Sequence, residues 1–145
     1  MLGRLARYLR MLGFDTAYAK GDSDDAIAAR AAAEGRRLLT RDRRLAQRVP
    51  GAVLLTSPFL PEQLRQVHAA VPSDPFQVVM QRCTLCNGSL RPPAEVARDA
   101  DPAAPSVGAP VPARPIYTCA VCGHRYWEGS HTEAVRTFVS QWLAT

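Results

Sequence analysis

At 145 residues, with 47% hydrophobic and 21% charged side chains, the chain is long enough for one ordinary domain, or for a small domain with a stapled appendage. No stretch approaches the roughly 18 consecutive apolar residues of a membrane span, and the start MLGRLARYLRMLGF carries arginines through its apolar positions, so it reads as neither a membrane span nor a signal peptide, no membrane partner is expected, and the cytoplasm is the expected compartment. The net charge of +5 is uneven: residues 1–48 hold eleven Lys/Arg against six Asp/Glu and the rest balance at seven each, which favours an anionic partner, nucleic acid before membrane, or else a solvated arginine-rich surface.

In GRLARYLRMLGF, Leu5, Leu9, Met11 and Leu12 recur at helical spacing with Arg4, Arg7 and Arg10 opposite, which predicts an amphipathic helix ended by Gly13. DTAYAK is a short strand candidate. DSDDAIAARAAAEG predicts a helix with acids in its first turn and a glycine stop. RRLLT reads as a buried strand, DRRLAQRV as a short helix, AVLLT as a strand, and LPEQLRQVHAAV as a helix with Pro61 in its first turn. Strands alternating with helices predict an α/β fold with a parallel sheet and helices packed on it.

Beyond Pro72 the pattern changes. Residues 92–115 hold seven prolines and almost no large apolar side chains, so they supply no core and read as a loop. Ordered chain resumes at IYTCAVCGHRYWEGSH, and TEAVRTFVSQWLA closes the chain as a helix with Val135, Phe138, Val139 and Trp142 at helical spacing.

Cys83 and Cys86, with Cys119 and Cys122, form CxxC…CxxC. Each CxxC bends a knuckle that turns two thiolates toward one ion, and two knuckles complete a tetrahedral four-cysteine zinc site. Such a site is closed and structural, since no coordination position is left for water. Paired disulfides are the competing reading, but nothing in the chain points to secretion. His124 and His131 lie nearby and are expected at the surface or on substrate, not on the metal.

Asp24 and Asp25 open one predicted helix and Asp42 directly follows a predicted strand. In a parallel α/β unit these positions, with Asp22, fall toward the edge where such folds bind ligands. Converging carboxylates make a hard-oxygen site for Mg²⁺ or Mn²⁺ able to act on a phosphodiester. Arg41, Arg43 and Arg44 beside Asp42, and Arg4 and Arg7 on the first helix, would then serve substrate phosphates. Helix capping is the alternative for each acid taken singly. Tyr126 and Trp127 read either as zinc-module core or as base-stacking surfaces.

MLGRLARYLRMLGFDT, DDAIAARAAAEGRRLLTRDRRL, and the pair RCTLCNG and YTCAVCGHRYWEGSH resemble, over nearly the whole chain, the PIN-like ribonuclease family named for the C-terminal domain of the Mut-seven exonuclease. The resemblance implies a Rossmann-like, PIN-like three-layer parallel sheet over residues 1–76 and a zinc ribbon over 77–145, acting as a metal-dependent ribonuclease on RNA. By position, Asp24 matches the acid opening the family's DxxIAxxA helix and Asp42 the acid of its TxD strand end, with Asp25 an adjacent candidate. Family members begin with a short strand ending in an Asp shortly before the segment matched by MLGRLA, so the first strand and its carboxylate are expected to be missing here. Either the natural start lies upstream, with a small ubiquitin-like domain in a longer form, or this form is weakly active or inactive. Two function classes therefore stand side by side: a hydrolase with an acidic Mg/Mn site, and a non-catalytic zinc-ribbon protein that grips RNA. No motif specifies an oligomeric state.

Overall fold

The computed structural model describes residues 2–72, 76–93 and 115–143, and contacts divide the chain into two compact units, Met1–Ala6 with Ala17–Phe76, and Arg7–Thr16 with Gln77–Ala144. The division falls inside the first helix, α1 (Gly3–Met11). The proline-rich loop expected over 92–115 lies, apart from its ends, outside the described residues.

Helix α1 buries Leu5, Ala6 and Leu9, and Leu12 is buried just beyond its end, as the three-and-four spacing requires. The Phe14 N–H reaches back to the Leu9 carbonyl and the Gly13 N–H to that of Arg10, both at 3.0 Å, a Schellman ending that needs a left-handed residue at Gly13. Gly13 has φ +87°, and a Cβ there would stand 2.5 Å from Val79 Cγ2, so both backbone and space demand glycine. One expectation for α1 fails. Arg10 is not on the solvent side but buried, because backbone carbonyls satisfy its guanidinium.

The first unit runs α2 (Asp24–Ala33), β1 (Leu39–Thr40), α3 (Arg43–Arg48), β2 (Val53–Leu54) and α4 (Leu60–Ala70). Strands β1 and β2 are parallel, with Leu39 opposite Val53 and Thr40 opposite Leu54. Helix α2 ends as α1 does, with Gly35 at φ +60° and the Arg36 N–H on the Ala31 carbonyl. The core gathers Ala31, Leu45, Leu55, Leu60, Leu64, Val67 and Phe76, and each fully buried Leu contributes about 1.5–3 kcal/mol.

The parallel sheet among the described residues has two strands, a smaller sheet than the expected three-layer arrangement. The strand expected at DTAYAK is not formed. At its start the Thr16 backbone is taken by side chains: its N–H donates to Asn87 Oδ1 at 3.0 Å and its carbonyl accepts from Arg10 Nε at 2.9 Å.

The second unit holds an antiparallel sheet ordered β3 (Leu90–Arg91), β4 (Ile116–Cys119), β5 (Arg125–Trp127), followed by α5 (Ser130–Leu143). Val135 and Val139 of α5 are buried, and Phe138 meets Tyr8 edge-on with ring centroids 5.5 Å apart. The architecture is thus mixed α/β, with a small parallel sheet in one unit and a cysteine cluster in the other. No helix among the described residues is long and apolar enough to cross a membrane.

Candidate functional site

The two CxxC segments fold as near copies of each other. The Asn87 N–H closes the first knuckle onto the Cys83 carbonyl at 2.9 Å, and the Gly123 N–H closes the second onto that of Cys119 at 3.0 Å. Both closing residues are left-handed, Asn87 at φ +67° and Gly123 at φ +75°, the backbone that Asn and Gly adopt most readily. Gly88 is required for space: a Cβ there would lie 2.9 Å from Cys119 Sγ and 2.8 Å from Val121 Cγ2.

All four sulfurs lie within 4.8 Å of one another, with Cys83 and Cys122 Sγ 3.6 Å apart and Cys86 and Cys119 Sγ 3.5 Å apart. Zn–S bonds of about 2.3 Å in a tetrahedron put sulfurs about 3.8 Å apart, whereas a disulfide needs about 2.05 Å. The set therefore matches the spacing of one zinc ion better than that of a disulfide, and all four cysteines are free. Backbone N–H groups already point at the sulfurs, Gly88 at Cys86 (3.4 Å), Val121 and Cys122 at Cys119 (3.4 and 3.5 Å).

Charge makes the same point. Burial alone would raise the Cys83 thiol, but hydrogen bonds from the Tyr126 hydroxyl, the Cys86 and Leu85 N–H groups and Cys122 together bring it down to about 6. Although the Gly88 N–H favours the Cys86 thiolate, burial and the other three sulfurs push that thiol up to about 12. Packed thiols divide their protons this way because four adjacent thiolates repel; a dication at their centre removes the conflict. His124 and His131 stand outside the cluster, His124 edge-on to Tyr126 at 4.8 Å.

Arg10 is the residue that sequence reasoning missed. Its Nη1 donates to the carbonyls of Thr84 (2.9 Å) and Leu85 (3.2 Å), the two residues between Cys83 and Cys86, and its Nε to Thr16. Burial lowers its pKa and the adjacent Cys83 and Cys86 raise it, so the guanidinium also counters the charge of the thiolates. Asn87 works beside it: its Nδ2 donates to Asp15 at 2.6 Å, while Arg82 approaches the same carboxylate at 4.0 Å.

At the C-terminal end of β1, Asp42 is the N-cap of α3: its Oδ1 accepts from the Leu45 N–H at 3.0 Å, and its own N–H donates to Thr40 Oγ1 at 3.0 Å. Ser23, not Asp24 or Asp25, caps α2, with its Oγ accepting from Ala26 N–H at 3.2 Å. Asp24 and Asp25 occupy the first turn, and both, like Asp22 and Asp42, are exposed. Asp25 is ion-paired with Arg48, the last residue of α3. Asp42 caps the opposite end of that helix, about 9 Å away along its axis. Asp25 is thus engaged by a cation. Among the described residues the four cysteines are the one group of three or more ligating side chains placed to hold an ion; the acids form no such cage.

Asp42, at the start of α3, and Asp24, in the first turn of α2, are both exposed. Arg43 and Arg44 lie exposed in the first turn of α3, Arg41 is half-buried, and Arg4 and Arg7 are exposed on α1. Two cations at a helix N-terminus oppose the helix dipole, so the stability of α3 does not explain them. The Mut7-C RNAse domain family model matches residues 1–139. No curated protein and no solved structure matches the chain.

Proposed function

The chain belongs to the Mut7-C RNAse domain family, and from that premise we propose that it is a metal-dependent ribonuclease hydrolysing RNA phosphodiester bonds at the edge marked by Asp42. The observation that carries this reading is the position of Asp42, exposed at the carboxyl end of a parallel strand and flanked by arginines that no helix-stabilising role accounts for. On this reading β1, β2 and the helices around them belong to a PIN-like three-layer fold, and the ribbon of residues 77–145 holds structural zinc.

Asp42 and Asp24 would hold Mg²⁺ or Mn²⁺, with Asp25 joining after release from Arg48. A bound ion would supply Lewis acidity and charge neutralisation at the scissile phosphate. Arg43 and Arg44 would contact the phosphates on either side, and Arg41, Arg4 and Arg7 are further phosphate contacts on the same RNA; guanidinium forks suit phosphate oxygens in two-point contact. Thr40 fixes the Asp42 backbone through its hydroxyl, so the acid is held at the strand end and not on a swinging loop.

The test is cleavage of labelled single-stranded RNA by the zinc-loaded chain, with and without Mn²⁺, repeated with Asp42→Asn. Mn²⁺-dependent cleavage that the substitution removes supports the reading. RNA left intact under every condition, or cleavage indifferent to Asp42, overturns it.

A further inference from the structure

We propose that the outward face of the β3-β4-β5 sheet is a docking platform for single-stranded RNA, with Trp127 as the stacking surface and Arg125 and Arg91 as phosphate contacts. The proposal deepens the ribonuclease reading and rests on it for the choice of RNA as the occupant.

The strand register sets the face. Arg91 stands opposite Thr118, Thr118 opposite Arg125, and Ile116 opposite Trp127. Directly paired residues project to the same side of a sheet and alternate residues to the other. Cys119 and Tyr126 define the inner side, since Cys119 belongs to the sulfur cluster and the Tyr126 hydroxyl lies 3.0 Å from Cys83 Sγ. Arg91, Ile116, Thr118, Arg125 and Trp127 therefore share the side facing away from the metal centre. The two aromatics that the sequence left undecided are separated by this register: Tyr126 supports the ribbon and Trp127 is 53% exposed.

A single exposed aromatic side chain is ordinary. An exposed Trp two residues from an exposed Arg on one strand, hence about 7 Å away and on the same face, with a second Arg across the row, is the pairing of ring and cation that single-stranded nucleic acid uses. Glu128, next to Trp127, is ion-paired with Arg136 at 2.8 Å, which limits its repulsion of a phosphate. The strand under the ring is fixed by β4 on one side and the Tyr126 contact below, so little ordering is left to be done on binding. A base must be unpaired to lie on the ring, which selects single strands over duplexes.

The experiment uses the full zinc-loaded chain and a fluorescein-labelled oligouridylate without added Mg²⁺ or Mn²⁺, read by fluorescence anisotropy across a salt series. Trp127→Ala should weaken binding about tenfold, with Trp127→Phe recovering most of it. Arg125→Ala should flatten the dependence of log K on log salt by about 0.7. Zinc content equal to the parent's establishes that each variant is folded. Unchanged binding by Trp127→Ala, equal Trp127 dependence on a duplex, or displacement of the probe by polyglutamate at equal charge overturns the platform. Cleavage assays on the same preparations separate the two claims. Unchanged binding with RNA still cleaved removes the platform and leaves the ribonuclease; Trp127-dependent binding with no cleavage in Mn²⁺ sustains the platform and removes the ribonuclease.

Discussion

Arg10 Nη1 lies 2.9 Å from the Thr84 carbonyl oxygen, so a side chain from α1 closes over the backbone of the first cysteine knuckle from 74 residues away. Truncation would leave the Thr16, Thr84 and Leu85 carbonyls without this partner. Arg10→Ala is therefore expected to cost about 3 kcal/mol or more in denaturant unfolding, because buried polar groups lose charged hydrogen bonds. Arg10→Lys keeps the charge but not the fork and should fall between. A cost below about 1 kcal/mol for Arg10→Ala would mean that the clamp contributes little.

Glycine substitutions probe the turns around this clamp. Gly13→Ala must adopt φ near +87° and push Val79 aside, and an expected loss of about 2–4 kcal/mol follows from adding left-handed strain to the steric clash. Gly35→Ala meets only the backbone penalty, since nothing stands within 4 Å of its Cβ, and should cost about 1 kcal/mol. Equal melting temperatures for the two variants would contradict the role given to Val79.

Local signals made most helices legible: α1 follows from apolar spacing, α2 from its acidic first turn and α4 from Pro61, and Gly13 and Gly35 end the first two where expected. The CxxC pairs made the sulfur cluster legible because metal ligation is a local geometric demand. What stayed hidden depends on long-range pairing. Arg10 is one step from Leu9 on the helix surface, and only the distant knuckle decides that it turns inward. DTAYAK has strand composition, but Asn87 and Arg10 occupy the backbone of Thr16. Asp24, Asp25 and Asp42 look equivalent in the sequence, yet Arg48 engages Asp25 and the Leu45 N–H engages Asp42, contacts set by how α2 packs on α3.

Removing zinc should unfold the ribbon. Zinc binding in small modules is worth on the order of 10 kcal/mol, and its ligands must be deprotonated. A chelator, or acidification that protonates the thiolates, should release the ion and abolish amide protection in β3, β4 and β5 by hydrogen exchange. Cys119→Ser, at the buried end of β4, should reproduce that loss without a chelator. Retained protection in the zinc-free protein would show that side-chain packing alone holds the sheet.

Glu34 offers a smaller, pH-signed effect. Hydrogen bonds from Arg36 and then Arg30 hold its carboxyl below the ordinary 4.5. A depressed folded-state value means that the carboxylate stabilises the fold above the ordinary range and loses that contribution as pH falls through the folded value. Glu34→Gln should accordingly lower the melting temperature at neutral pH, and the difference from the parent should vanish in acid and shrink in high salt. A difference that persists below the carboxylate range would assign the effect to packing.

Asp42 is the N-cap of α3 and the proposed metal-holding acid, and different substitutions separate the two roles. As the N-cap of α3 it satisfies the Leu45 N–H, and Asn does that nearly as well, while Ala costs about 1 kcal/mol. As a metal-holding acid it needs its charge, which Asn and Ala both remove. Asp42→Asn should keep the parent's melting temperature and lose at least about a hundredfold in Mn²⁺-dependent RNA cleavage, the scale expected when a site loses a principal electrostatic group. Asp42→Ala should lose the same activity together with stability. If activity instead follows stability, intact in Asn and reduced in Ala, then the carboxylate acts only as a cap and the catalytic edge must be sought among other residues.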